Sequence, residues 1–131
     1  MAIKTEHEKE LLAKGIAEFN AHEFFDCHET LEELWKDYTE PDREAIQGII
    51  QIAVGYYHLR RGNYKGASKL FAKGGARVER FAPLWQGLDL CEVLQEVNEV
   101  NQIISSTDAS NLVLDNIRFP VIRDTRASKD C

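Results

Sequence analysis

Apolar residues recur along this chain at helical spacing in five stretches. The first predicts a helix over about residues 5–20, with Leu11, Leu12, Gly15, Ile16 and Phe19 on its inner stripe. Thr5, followed three residues later by Glu8, is a capping-box signal for its start. The second predicts a helix over about 23–38, striped by Phe24, Cys27, Leu31, Leu34 and Trp35. It must stop before Pro41, because proline disfavours helical backbone in the residue before it. The third covers about 42–61. Between Ala45 and Leu59 its fully polar side chains are Gln47, Gln51 and His58. A helix apolar almost all round is buried on most sides, so this one is expected at the centre. Gly62 and Asn63 break it, since both tolerate left-handed backbone. The fourth covers about 64–80 and ends at Phe81-Ala82-Pro83, followed by a turn over 84–88. Asp89 caps a fifth, about 90–106, carried by Leu90, Val93, Leu94, Val97, Val100 and Ile104.

Residues 105–111, SSTDASN, read as a polar linker. The remaining segment has no helical period. Ile117, Phe119, Val121 and Ile122 cluster around Pro120, which predicts an extended strap docked on the bundle. The expected division is a helical bundle over 1–106, then a linker and extended tail over 107–131.

A faint repeat with an offset of 40 residues aligns Gly15 with Gly55, Phe19 with Leu59, Phe24 with Tyr64, Cys27 with Ala67, and Leu31 with Phe71. Each copy is a helix, a tight turn and a second helix. The second copy is similar to a tetratricopeptide hairpin, although the offset exceeds the ~34 residues of that repeat. The expected fold is therefore all-α: a compact bundle of two antiparallel helical hairpins plus a capping helix. Gly74 and Gly75 sit inside the fourth helical pattern, as a close-packing or kink position.

At 131 residues, with 44% hydrophobic side chains, the chain can bury a core as one domain. No apolar run approaches the ~18 residues of a membrane span. The opening MAIKTEHEKELLAKG lacks the apolar segment of a secretory leader. A cytoplasmic location with no membrane partner is the expectation. Three cysteines, an odd number, argue against a disulfide framework, and Cys27 and Cys91 on apolar faces are expected as buried thiols.

The net charge of −6 hides a segregation. Residues 1–44 hold 13 acids and 5 bases, whereas residues 60–80 hold 7 bases and one acid. The overall acidity argues against a nucleic-acid partner. The opposite patches favour a homodimer with an apolar centre and a charged rim, acidic second helix against basic fourth helix. Arg61, Lys65, Lys69, Lys73 and Arg77 recur every four residues as a basic ridge.

The chemistry-bearing residues lie on two helical stripes. At about 100° per residue, Gln47, Gln51 and His58 fall within about 40°, as do His28 and Glu32, with Trp35 close by. If the second and third helices are antiparallel neighbours, His28 and Glu32 can face Gln51 and His58. One reading is a buried hydrogen-bonded network that fixes helix register. Another is a pocket for a small molecule. A third is a divalent transition-metal site with His28, Glu32 and His58 as ligands and Glu29 as base, which would suit a hydrolytic enzyme. His28 to Glu32 half matches the HExxH of zinc proteases, but Glu32 stands where the second histidine is required, so a protease of that class is excluded. The leading expectation is a non-catalytic module that binds a protein or small ligand.

With those residues in view, the chain resembles the bacterial and archaeal family called domain of unknown function 309. The resemblance runs over roughly residues 15–106. It rests on Phe24, His28, Glu29, Glu32 and Trp35, then Gln47, Gly48, Gln51 and His58, then Gly62, Asn63, Gly66 and Ala67. It implies an all-helical fold and no particular activity.

Overall fold

A computed structural model describes residues 3, 5–106 and 117–124. It has five helices: α1 (Glu6–Asn20), α2 (Phe24–Asp37), α3 (Arg43–Arg60), α4 (Tyr64–Glu79) and α5 (Cys91–Ser106). The starts and stops follow local chemistry. Thr5 and Glu8 form the reciprocal capping box: Thr5 Oγ1 accepts from Glu8 N at 3.0 Å, and Thr5 N donates to Glu8 Oε1 at 3.2 Å. Gly62, at φ +80°, makes the turn into α4, where Asn63 Oδ1 accepts from Gly66 N at 3.1 Å. Asp89 Oδ1 accepts from Cys91 N at 2.9 Å at the start of α5.

Helices joined by such short turns fold back antiparallel. Gly48 faces Val78 while Gly55 faces Phe71, so α3 and α4 run in opposite directions. Successive helices are neighbours, and α3 packs on both α2 and α4. Its Ile46, Ile49, Ile52, Ala53, Tyr56 and Leu59 are buried, as expected of the central element. The two hairpins also pack alike. Gly15 takes the side chain of Leu31, and Gly55 takes the ring of Phe71. These are the pairs related by the 40-residue offset.

The stretch read as a turn over 84–88 is more ordered than that. Leu84–Trp85 (β1) and Leu88–Asp89 (β2) form an antiparallel hairpin closed by Gln86 and Gly87, both at positive φ. Two such residues match the right-handed twist of the flanking strands. Arg123–Asp124 (β3) pairs with β2. Ile117, Pro120 and Ile122 of the strap are buried against the bundle.

Cys27 is a free, fully buried thiol, and burial pushes its pKa up to about 12, far from a reactive thiolate. The expectation of a thiol at Cys91 is corrected: that sulfur is in a disulfide. An odd number of cysteines excludes a full framework but not a single bridge. No helix of the described residues is long and apolar enough to cross a membrane.

Candidate functional site

The motif residues of α2 line one open cavity. His28, Glu29, Glu32 and Trp35, with Glu33 and Lys36, enclose about 390 Å³ on the exposed flank of the helix. The i,i+4 spacing of His28 and Glu32 brings Nε2 to 3.3 Å from Oε2. His28 Nδ1 and Trp35 Nε1 are buried without hydrogen-bond partners among the described residues. Trp35 is held by Arg43, whose guanidinium carbon lies 3.8 Å from the ring centroid. The same guanidinium donates to the carbonyls of Trp35 and Tyr38, satisfying the open end of α2.

The second stripe goes elsewhere. Gln51 Oε1 accepts from Arg77 at 3.0 Å, and its Cβ lies at the α4 interface beside Gly74. Arg77 also pairs with Glu44 at 3.1 Å, as does Arg80. Gln51 therefore serves the α3–α4 seam. Gln47 is half-buried on the same helix. Asn63 is committed to capping α4. Among the described residues, no three His, Cys, Asp or Glu side chains are grouped so as to hold a metal ion.

His28 and His58 do share a surface, through two aromatics that the stripe analysis passed over. His28 lies 5.6 Å from Phe25, Phe25 lies 5.4 Å from Tyr57, and Tyr57 lies 6.0 Å from His58, ring centroid to centroid. The Arg61 guanidinium covers Tyr57 at 5.4 Å. The result is a continuous strip of rings across α2 and α3. Glu29 and Glu32 stand at the His28 end, and Arg61 at the other. Phe25 is 47% exposed, the most exposed large apolar residue described. The signal for it was present in the sequence: Phe25 is an aromatic lying off the inner stripe of α2.

The basic ridge is partly spent inside the molecule. Arg61 is engaged with Tyr57, and Arg77 with Glu44 and Gln51. Lys65, Lys69 and Lys73 are exposed on α4 and make no ion pair among the described residues.

Sequence reasoning also missed Asp42. It is 3% exposed and accepts from Tyr38 Oη at 2.7 Å, Trp85 Nε1 at 2.9 Å and Gln86 Nε2 at 3.1 Å. Burial alone would raise its pKa. Those hydrogen bonds to the carboxylate outweigh burial and hold it below the usual value. It ties the segment after α2 to the β1–β2 hairpin as a structural anchor.

Residues 12–70 match the family described as "Domain of unknown function (DUF309)". The chain is 39% identical over 98 residues to "Uncharacterized protein YpuF" of Bacillus subtilis (strain 168), an alignment covering 70% of this chain and 56% of that one. It is 24% identical over 94 residues to an "Uncharacterized protein" of Aquifex aeolicus (strain VF5), covering 71% and 28%. The chain thus spans about half or less of the length of these relatives. His28, Glu32, Trp35, Gln51 and His58 all lie within the matched segment, as do Phe25 and Tyr57.

Proposed function

Residues 12–70 match the DUF309 family, a family defined without an activity, and from that match we propose a non-catalytic helical interaction module. The observation that carries this reading is the ring strip from His28 through Phe25 and Tyr57 to His58, with Phe25 exposed and the other three half-buried. Aromatic and arginine side chains are the usual anchors of protein interfaces. An exposed Phe25 between a tyrosine and a histidine offers apolar area at little further cost in side-chain entropy, because its neighbours already restrain it.

The partner proposed is a second copy of the chain. The strip has unlike ends, acidic Glu29 and Glu32 at one and Arg61 at the other, about an aromatic middle. Such a strip is complementary to itself when a two-fold axis passes through its centre. Lys65, in the first turn of α4, extends the basic end. The resulting homodimer has an apolar centre and a charged rim. The second hairpin, with its small Gly66 and Ala67 beside the turn, supports a tetratricopeptide-like reading of the unit.

A metal-dependent hydrolase is the poorer reading. His28 Nε2 is turned to Glu32, and the amide expected to complete the cluster is bonded to Arg77 on the far side of α3.

Sedimentation equilibrium tests the proposal. Phe25→Ala is expected to weaken the dimer by roughly 30-fold, about 2 kcal/mol, the range of a hot-spot truncation. Its helical circular dichroism should be unchanged, because the ring is exposed. Raising salt should have the smaller effect, since exposed ion pairs contribute only about 0–1 kcal/mol each. A monomer at every concentration and salt condition overturns the dimer. A dimer indifferent to Phe25→Ala places the interface elsewhere.

A further inference from the structure

Residues 117–124 lie on the bundle in the way a bound peptide does. Asn20, the last residue of α1, clamps both backbone groups of one strap residue. Its Nδ2 donates to Ile122 O at 2.8 Å, and its Oδ1 accepts from Ile122 N at 2.7 Å. Such a clamp reads main chain whatever the side chain. β3 adds a strand to β2. Along α5, Glu92 and Glu96 stand one turn apart. Glu92 accepts from Arg123 Nε at 3.2 Å and from Val121 N at 3.4 Å, and Glu96 pairs with Arg118 at 3.4 Å. Phe119 sits among the rings of His22, Phe24 and Tyr56 at 5.5, 5.9 and 5.5 Å, with the Arg60 guanidinium 5.1 Å from its centroid. Main-chain pairing for affinity and side-chain sites for selectivity are the means by which strand addition recognises peptides.

Two features make the groove chemically selective. Glu96 is only 8% exposed, and a buried carboxylate is costly unless a cation meets it. Burial raises its pKa and the charge of Arg118 opposes the rise. Secondly, the Tyr56 hydroxyl and His22 Nε2 are buried without hydrogen-bond partners among the described residues, and both rings flank Phe119. Tyr56 is fully buried. Phenylalanine supplies neither donor nor acceptor, so the strap leaves the hydrogen-bonding capacity of this cage unused.

We infer that the groove along Asn20, Tyr56 and α5 is a binding site for an extended segment of another protein, with the chemistry arginine, aromatic, two further residues, aliphatic, arginine. The chain's own Arg118, Phe119, Ile122 and Arg123 occupy it in cis. A tyrosine at the aromatic position would bring a hydroxyl into a cage whose Tyr56 and His22 polar atoms have no partner among the described residues. The site is separate from the Phe25 strip and does not depend on self-association. A tethered strap competes at an effective concentration of roughly millimolar, so a free segment binds at the expense of the closed form. Its apparent affinity scales with the fraction of open groove.

The test uses the full chain and a labelled peptide of residues 117–124. Wild-type protein should bind it weakly. The double variant Arg118→Ser/Arg123→Ser removes the strap's two arginine contacts and should bind the peptide at least about tenfold tighter, as the open fraction rises. Ile122→Ser reads the same quantity by a deeper cut into the strap. Adding Asn20→Ala to either variant should erase the gain, because both main-chain bonds go. A peptide with tyrosine in place of Phe119 should bind tighter than the parent peptide. No gain in either strap variant, with wild-type helical dichroism retained, overturns the inference. So does a gain that survives Asn20→Ala, which would place the peptide elsewhere.

Discussion

Replacing Asp42 by alanine is expected to lower the folding free energy by about 3–5 kcal/mol, the largest loss of any single polar side chain described here. The carboxylate joins three parts of the fold: Tyr38 after α2, its own position before α3, and Trp85 of the β1–β2 hairpin. Alanine leaves the Tyr38 hydroxyl and the Trp85 indole N–H buried without their acceptor, at about 1–3 kcal/mol for each unsatisfied group. It also removes a negative charge from the N-terminal end of α3, where the helix dipole favours one by about 0.3–1 kcal/mol. Asp42→Asn keeps an acceptor oxygen and should lose less. The folded pKa of Asp42 lies below its unfolded value, so its contribution is complete above the ordinary carboxylate range. It is lost as pH falls from the unfolded pKa, about 3.9, through the lower folded one. Urea unfolding at neutral pH and near pH 3 checks both points. The gap between wild type and Asp42→Asn should narrow on acidification. A gap that stays constant would show that the charge of Asp42 adds nothing to its role.

The adjacent glycines of α4 are expected to respond to alanine with opposite signs. A Cβ on Gly74 would lie 2.8 Å from Gly48 O, a backbone atom, and 2.9 Å from Ile52 Cγ1. Neither helix can yield without moving its backbone, so Gly74→Ala should destabilise by about 1–3 kcal/mol through overpacking. That outcome opposes helix propensity, which favours alanine by about 1 kcal/mol. A Cβ on Gly75 would meet only Val97 Cγ1 at 3.7 Å, an ordinary contact. Gly75→Ala should therefore keep the propensity gain and stabilise by about 0.5–1 kcal/mol. Thermal unfolding of the two variants side by side decides it. Equal shifts of the same sign would mean that the α3–α4 seam is looser than the Gly48–Gly74 approach indicates.

These glycines mark where sequence reasoning reaches its limit. The GlyGly pair is visible in the chain as a close-packing or kink position only by type, and nothing local distinguishes its two members. The difference is which of them meets α3, and that depends on the rotation of α4 in the assembled bundle. The same rotation brings Arg77 of α4 to Gln51 of α3. The stripe that Gln51 shares with Gln47 and His58 is a property of the helix alone, and Arg77, 26 residues on, captures the Gln51 amide. His28 and His58 meet one surface through Phe25 and Tyr57, a relation that needs α2 and α3 in their packed register.

What the sequence determined by itself is what depends on neighbours within a turn or two. The five helices follow from apolar period, and their ends from Thr5–Glu8, Pro41, Gly62–Asn63 and Asp89. The central place of α3 follows from its nearly all-round apolar surface. The pairing of His28 with Glu32 follows from i,i+4 geometry. Tertiary structure decided everything that requires two distant segments to meet: the Asp42 anchor to Trp85, the ring strip across α2 and α3, and the Asn20 clamp on Ile122. Each depends on how the helices rotate and slide during packing. Those choices are set by the fit of the whole core, which no local pattern of residues encodes.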